Sequence, residues 1–132
     1  MRAKIVPILL LVLAAGCGTL ERQTPTLANA ANEGGAIALK KGGTLVVALE
    51  GNATTGYRWQ TLSGTGEVLS QIGTPDYLPP AVAPGMVGAA GDMVFRYRAE
   101  KAGTTTLELG YLRPFETGVA PAKIARYTVT VQ

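Results

Sequence analysis

The sequence predicts an all-β domain in which two sheets pack face to face. Three observations support this: short segments alternate apolar and polar residues, no segment has the 3.6-residue apolar period of a helix, and Gly, Pro, Asn and Asp separate the segments. About seven short strands in roughly 100 residues are typical of a sandwich rather than of a barrel or an α/β fold. We therefore predict an immunoglobulin-like β-sandwich of seven to eight strands over residues 35–132.

The first four strands are predicted over residues 36–40, 44–50, 57–62 and 67–72. The second contains a near-continuous apolar run, as expected of a central strand. The third contains Trp59, whose indole is large enough to fill the space between two sheets. The fourth has the weakest apolar pattern.

The last three strands show the clearest alternation, and a tight turn over residues 101–103 joins the fifth to the sixth. Every second residue of a strand points to the same face, so the face that carries the apolar residues is expected to point inward. The residues expected to point inward are Met93, Phe95 and Tyr97 in the fifth strand, Leu107, Leu109 and Tyr111 in the sixth, and Tyr127, Val129 and Val131 in the seventh.

Three connections are longer or chemically unusual, at residues 51–56, 79–91 and 113–121. In a seven-strand sandwich of the usual topology they follow the second, fourth and sixth strands. Because antiparallel strands run up and down in turn, alternate loops emerge at the same end. We expect these three loops side by side, at the end where antibodies carry their recognition loops.

The first 16 residues have the features of a bacterial lipoprotein signal peptide. Arg2 and Lys4 precede an apolar run over residues 5–15, and eleven residues of helix reach only about 16 Å, half of a hydrocarbon core about 30 Å thick. The small residues before Cys17 resemble a lipobox, in which the cysteine is lipidated and becomes the new N-terminus. The alternative is an ordinary secretory signal with an incidental thiol.

The predicted organisation is a signal peptide over residues 1–16, a lipidated flexible tether over residues 17–34 and the immunoglobulin-like domain over residues 35–132. The tether segment is polar and small, with no sustained period. Gly18 after Cys17 is typical of sorting to the outer membrane. We expect a protein of the bacterial cell envelope, lipid-anchored at the outer membrane and facing the periplasm.

The composition argues against catalysis and against nucleic-acid binding. The chain has no histidine, which is the commonest general base and zinc ligand, and its one cysteine lies at the predicted lipidation site. The nine carboxylates have no calcium-binding spacing. Without Arg2 and Lys4 the formal charge falls from +3 to +1, which leaves no basic stripe for nucleic acid. We expect no enzyme activity, no metal and no other cofactor.

Each of the three loops carries a short motif. Taken singly, each motif has a local explanation. Asn and Gly are typical of a capped turn, and small residues are typical of a flexible loop. Arg-Pro-Phe can end a strand with a packed aromatic ring. Their combination, in order and on alternate loops, indicates a binding surface. The motifs are Asn52-Ala53-Thr54-Thr55-Gly56-Tyr57 on the first loop, Gly88-Ala89-Ala90-Gly91 on the second, and Arg113-Pro114-Phe115 on the third.

In order and spacing these motifs resemble those of the chagasin family of cysteine-peptidase inhibitors, which read N-P-T-T-G-Y, G-x-G-G and R-P-W. The resemblance covers residues 36–131. It implies reversible inhibition of papain-type cysteine peptidases by three loops that block the active-site cleft. Thr54 and Thr55 would lie against the catalytic dyad, residues 88–91 along one side of the cleft, and Arg113 with Phe115 along the other.

The motifs depart from the family pattern at three positions. Ala53 replaces a proline, Ala90 replaces a glycine, and Phe115 replaces a tryptophan. Alanine restores freedom of φ in the first loop, and phenylalanine keeps a flat ring but lacks the indole N–H. We expect these changes to affect affinity and the choice of peptidase more than the mode of binding.

The expected partners are a papain-type cysteine peptidase and, through Cys17, a membrane, and we expect the protein to be a monomer. The alternative function is an envelope-tethered immunoglobulin-like module that binds another partner, such as a carbohydrate or another envelope protein. Fold alone does not decide between the two. The threonine pair between Asn52 and Gly56 favours the inhibitor, because a general binding module has no reason to combine it with the third motif.

Overall fold

The computed structural model describes residue 16, residues 22–81 and residues 90–132. The described residues contain nine β-strands and two short 3-10 helices, Ala30–Asn32 and Ala53–Thr55. This confirms the all-β prediction, with more strands than expected. In chain order the strands are β1 (Thr26–Ala28), β2 (Ala36–Leu39), β3 (Thr44–Gly51), β4 (Arg58–Ser63), β5 (Leu69–Gln71), β6 (Asp76–Leu78), β7 (Gly91–Ala99), β8 (Gly103–Leu112) and β9 (Lys123–Val131).

The strands form two sheets that make an immunoglobulin-like sandwich. One sheet has the order β1-β3-β7-β5, with β6 also pairing with β7, and the other has the order β2-β9-β8-β4. β1 is parallel to β3 and β2 is parallel to β9, whereas the other pairs are antiparallel. The two parallel strands lie at sheet edges.

The apolar core lies between the sheets and consists largely of the residues that the alternation predicts. All the predicted inward residues of the last three strands are buried except Met93 and Tyr111, which are partly buried. Trp59 is 6% exposed, and its indole N–H donates to the carbonyl oxygen of Glu50 at 2.9 Å. The prediction that Trp59 fills space between the sheets is therefore confirmed.

Two tyrosine hydroxyls in the core have hydrogen-bond partners. The Tyr97 hydroxyl lies 2.7 Å from that of Thr61, and the Tyr127 hydroxyl donates to the carbonyl oxygen of Asn29 at 2.8 Å. Burial raises the pKa of each tyrosine to about 12, because the charged form is poorly solvated there. Both side chains are therefore neutral at physiological pH and add no charge to the core.

The structure differs from the sequence prediction at β1 and β6. Thr26–Ala28 and the following 3-10 helix fall in the predicted tether, yet β1 pairs with β3 and buries Ala28. The tether prediction is wrong for residues 26–34, which belong to the folded domain. A three-residue edge strand with one inward side chain carries too little apolar pattern to be recognised, and all three residues of β6 are exposed.

Several predicted features lie outside the described residues. They are residues 1–15 of the predicted signal peptide 1–16, the lipidation site Cys17, and Gly88 with Ala89 of the second loop. These stay predictions. In the part of the chain that is described, no helix is long and apolar enough to cross a membrane.

Candidate functional site

The strand registers bring the predicted loops to one end of the sandwich. β3 ends at Gly51, which pairs with Gly91 at the start of β7. β4 begins at Arg58, which pairs with Leu112 at the end of β8. The first loop, the end of the second and the third loop therefore leave the sheets together, and we call this end the loop pole.

The first loop is a capped 3-10 turn, as its Asn and Gly suggest. The Asn52 side-chain oxygen accepts hydrogen bonds from the Thr54 amide at 3.1 Å and from the Thr54 hydroxyl at 2.6 Å. The Thr55 hydroxyl donates to the Asn52 carbonyl oxygen at 2.7 Å and accepts from the Tyr57 amide at 3.3 Å. Gly56 ends the turn with a φ of +79°. The loop is thus exposed but internally fixed.

These hydrogen bonds give the two threonines a role that sequence reasoning missed. A hydroxyl has one proton to donate, and both Thr54 and Thr55 direct it to Asn52. Toward a partner, each side chain offers lone pairs and a methyl group rather than a donor. The two side chains therefore stabilise the shape of the loop, and they contact a partner only through their lone pairs and methyl groups.

Aromatic residues support the first loop from the core. Tyr57 stacks on Tyr111 with 5.2 Å between ring centroids, and Trp59 packs against Tyr111 at the same distance. The Tyr111 hydroxyl accepts a hydrogen bond from the Asn52 amide at 3.0 Å. The alternating pattern of β8 predicts that Tyr111 points inward, but only the folded chain brings its hydroxyl to a loop 59 residues away.

Arg113 joins the third loop to the first. Its guanidinium lies over the Tyr57 ring at 4.4 Å from the centroid, within the range of a cation–π interaction. Its Nε donates to the Thr55 carbonyl oxygen at 3.3 Å, and its Nη1 lies 3.2 Å from a carboxylate oxygen of Glu116. The first and third motifs therefore form one continuous surface.

Phe115 presents an aromatic ring at the edge of this surface. The side chain is 72% exposed. A Cβ built on Gly56 would lie 3.2 Å from the ring, so the glycine allows the ring to pack closely against the first loop. An exposed ring on a fixed support is typical of an interface anchor.

Ala90 and Gly91 are the only residues of the second motif within the described part of the chain. Gly91 is buried, and a Cβ there would clash with the carbonyl oxygen of Leu78 and lie 2.6 Å from the Tyr77 hydroxyl. Only glycine fits at this end of the second loop. β6 therefore sets the position at which the second loop returns to the sheet.

An open groove of about 470 Å³ separates the first and third loops from β6. Tyr77 and Met93 contribute to its lining together with Gly56, Tyr57 and Phe115. Sequence reasoning missed Tyr77, because β6 has no alternating pattern. The groove widens the apolar part of the loop pole beyond the three motifs.

The chemistry of the loop pole is suited to binding a surface. Its described motif residues offer backbone groups, a side-chain amide, three hydroxyls, a guanidinium and aromatic rings. Within residues 22–81 and 90–132, no three Asp or Glu residues are placed to hold a metal ion. The chain contains no histidine to act as a general base.

We expect Gly56→Ala to weaken binding at the loop pole about tenfold and to lower the free energy of unfolding by about 1 kcal/mol. Alanine is strained at a φ of +79°, and its Cβ would push the Phe115 ring from its position. The matched control is Gly42→Ala, where φ is +85° and no atom lies within 4 Å. The control should show the stability loss without the binding loss, measured by thermal unfolding and by binding to the papain-type peptidase that the resemblance implies as a partner. Equal binding losses in the two variants would contradict this role for Gly56.

The chain matches known proteins in sequence. Residues 38–131 match the family described as Chagasin family peptidase inhibitor I42. Amoebiasin-2 of Entamoeba histolytica is 35% identical over 87 residues, which are 65% of this chain and 68% of that protein. The family match spans both the first and the third motif and the strands between them.

Solved structures share the same fold. The crystal structure of the cysteine protease inhibitor EhICP2 from Entamoeba histolytica has a TM-score of 0.74 and 23% identity, covering 84% of this chain and 98% of that chain. PbICP-C, in its complex with falcipain-2, has a TM-score of 0.59 and 22% identity, covering 83% of this chain and 91% of that chain. At these identities the likeness establishes the sandwich fold.

Proposed function

The chain belongs to the chagasin family of peptidase inhibitors, and from this premise we propose how it works. It is a reversible inhibitor of papain-type cysteine peptidases, not an enzyme, and it blocks the active-site cleft with the loop pole. The observation that carries this proposal is the contact of Arg113 with both Tyr57 and the Thr55 carbonyl oxygen, which joins two of the family motifs into one surface.

The related proteins support the class of partner. EhICP2 is named a cysteine protease inhibitor, and PbICP-C is bound to falcipain-2. The partner proposed for this chain is accordingly a papain-type peptidase.

The first loop is suited to cover a catalytic thiolate without being cleaved. A papain-type active site places a thiolate and an imidazolium at the centre of a groove. The hydrogen bonds from Thr54 and Thr55 to Asn52 hold the loop as a closed turn. A closed turn keeps its peptide bonds out of the extended form in which a substrate lies in the groove. The loop therefore fills the centre of the cleft but offers no scissile bond.

The other two loops engage the sides of the cleft. Phe115 supplies an exposed ring that stacks on an apolar wall, and Pro114 limits the directions from which the ring approaches. Residues 88–91 have no side chain larger than a methyl group, so backbone can approach backbone there. These contacts flank the first loop and fix the inhibitor across the active site.

The hydrogen bonds and the cation–π contact within the loop pole favour a high affinity for the peptidase. Association costs free energy when loops must become ordered, and a loop already held by its own hydrogen bonds avoids most of that cost. The cation–π contact between Arg113 and Tyr57 restrains the third loop in the same way. We expect an interface of about 1,600 Å² in total, the usual size for peptidase–inhibitor complexes.

A titration of papain with the purified chain from residue 18 to 132 tests this function. This segment keeps residues 26–34, which contain β1 and the first 3-10 helix. We expect a raised apparent KM for a small peptide substrate, an unchanged kcat, full recovery of activity on dilution and an uncleaved inhibitor. A serine peptidase serves as the control and should be unaffected. Undiminished papain activity at micromolar inhibitor, or cleavage of the first loop by papain, would contradict the proposal.

We further propose that the inhibitor is anchored in a bacterial cell envelope through lipid on Cys17. The support is the sequence: Arg2 and Lys4 before a short apolar run, small residues before the cysteine, and Gly18 after it. Two or three acyl chains make such an anchor stable, whereas one chain does not. The predicted site is an outer membrane, with the domain in the periplasm.

Cys17→Ser is expected to move the protein from the membrane fraction to the soluble fraction of bacteria that express it, because a hydroxyl does not accept the thioether-linked lipid. Inhibition of papain by the soluble fraction should match that of the detergent-extracted parent, since Cys17 is in none of the three motifs. Fractionation and immunoblotting measure the first result, and titration of extracts measures the second. Retention of the serine variant in washed membranes would refute the anchor.

A further inference from the structure

β1 determines the end at which the chain enters the domain. It runs parallel to β3, from Thr26 opposite Leu45 to Ala28 opposite Val47. β3 in turn runs toward the loop pole, where it ends at Gly51. β1 therefore points toward the loop pole, and the residues before it lie toward the other end of the sandwich.

β2 runs in the reverse sense. It is parallel to β9, which leads away from the loop pole, and it ends at the turn over residues 40–43. This turn lies beside the β7–β8 turn over residues 100–102, because the Gly42 amide donates to the Ala99 carbonyl oxygen at 2.7 Å. We call the end that holds these two turns the opposite pole. The chain thus runs toward the loop pole along β1, crosses from one sheet to the other, and runs back toward the opposite pole along β2.

The crossing between β1 and β2 is fixed to the core. The Asn29 carbonyl oxygen accepts the hydrogen bond from buried Tyr127 at 2.8 Å, and the Gly34 amide donates to the Arg126 carbonyl oxygen at 2.8 Å. Ala28 is 3% exposed. The reversal is therefore part of the folded domain rather than a loose end.

The residues before β1 lie at the opposite pole. Arg22 and Thr24 line a surface hollow together with Lys40 and Thr44. A Cβ built on Gly43 would lie 3.3 Å from the side-chain oxygen of Gln23. Arg22, from which the chain continues toward Cys17, accordingly lies at the end of the domain away from the binding loops.

The short segment between Cys17 and Arg22 limits how an anchored molecule can be oriented on the membrane. The five residue steps from Cys17 to Arg22 span at most about 18 Å when fully extended. The seven steps of β3 from Thr44 to Gly51 span about 23 Å, and the first loop extends beyond them. A lipid on Cys17 is therefore too close to the opposite pole for the loop pole to rest on the same membrane.

We infer that β1 orients the anchored inhibitor, so that its binding loops face away from the membrane that holds it and toward a peptidase in the adjacent solution. The inference rests on the proposed function and on the proposed anchor. A chain that entered directly at residue 35 would instead approach the domain nearer the loop pole, and the tether would draw the loops toward the lipid. Residues 26–34 thus place the point of attachment at the opposite pole and keep the binding loops away from the membrane.

The test couples the chain to phosphatidylcholine vesicles that contain a small fraction of maleimide lipid. Residues 18–132 contain no cysteine, so single cysteines define the point of attachment. Arg22→Cys attaches the opposite pole, and Thr117→Cys attaches the loop pole at an exposed position outside the three motifs. Inhibition of papain is measured for each variant both free and coupled to vesicles.

We expect coupling at residue 22 to change the inhibition constant by less than about threefold, and coupling at residue 117 to weaken it by at least about tenfold, because the vesicle then blocks approach of the peptidase. Equal losses at the two positions, or a greater loss at residue 22, would overturn the inferred orientation. Free variants that fail to inhibit papain would overturn the proposed function itself, and the orientation with it.

Discussion

Replacing Thr54 and Thr55 together by alanine is expected to weaken inhibition of papain about 100-fold. The double variant loses the hydroxyl bonds from both threonines to Asn52 and the bond from the Tyr57 amide to Thr55. At about 1 kcal/mol for each hydrogen bond, the three losses together correspond to about two powers of ten in affinity. The loss acts on the loop before binding, because fewer molecules then hold the closed turn.

Two controls separate loop shape from other effects. The Thr54→Ser and Thr55→Ser double variant keeps both hydroxyls and should stay within a few-fold of the parent. Thr104→Ala with Thr130→Ala removes a second pair of threonines, whose hydroxyls lie 3.3 Å apart on β8 and β9 away from the loop pole, and should leave inhibition unchanged. Circular dichroism and thermal unfolding should show an intact sandwich in every variant. Full potency of the double alanine variant would refute the closed-turn mechanism.

Phe115→Ala is expected to weaken inhibition by about 30- to 100-fold with little effect on stability. The ring is 72% exposed in the free domain, so its removal leaves no cavity in the core. Burying such a ring in a complex contributes about 2 to 3 kcal/mol, and an anchor at the edge of a cleft realises most of it. Inhibition titrations and thermal unfolding measure the two effects separately.

Val119→Ala is the matched control for Phe115. Val119 is 61% exposed on the same connection but lies outside the motif, so its loss should change inhibition less than about threefold. Phe115→Trp restores the family residue and should inhibit at least as well as the parent. If Val119→Ala costs as much affinity as Phe115→Ala, general apolar contact rather than an aromatic anchor governs binding.

Much of the fold follows from local pattern. The alternation in β7, β8 and β9 identifies their inward residues because one face of each is buried against the other sheet. The Asn and Gly of the first loop predict a capped turn with a positive φ, and Asn52 and Gly56 form one. The shared end of the loops follows from antiparallel topology alone.

Other features depend on contacts between distant segments. β1 has a single inward side chain, Ala28, and owes its place to pairing with β3 and to the hydrogen bond from Tyr127. The Tyr111 hydroxyl reaches the Asn52 amide across 59 residues. The residue pattern within one segment does not predict these contacts, because they form only when distant segments of the chain pack together.

The structure also explains how the first loop tolerates its departure from the family pattern. Ala53 is the first residue of the 3-10 helix, a position where the fixed φ of proline is compatible with a helical turn. With alanine there, the turn depends more heavily on its side-chain hydrogen bonds. Asn52, Thr54 and Thr55 supply them.

The crystal structure of papain in complex with residues 18–132 is the most direct measurement of the binding mode. We expect residues 52–56 over the catalytic cysteine without a covalent bond, and Phe115 and residues 88–91 on opposite flanks of the cleft. A complex in which papain contacts the outer face of either sheet, with the loop pole open to solvent, would contradict the proposed mechanism.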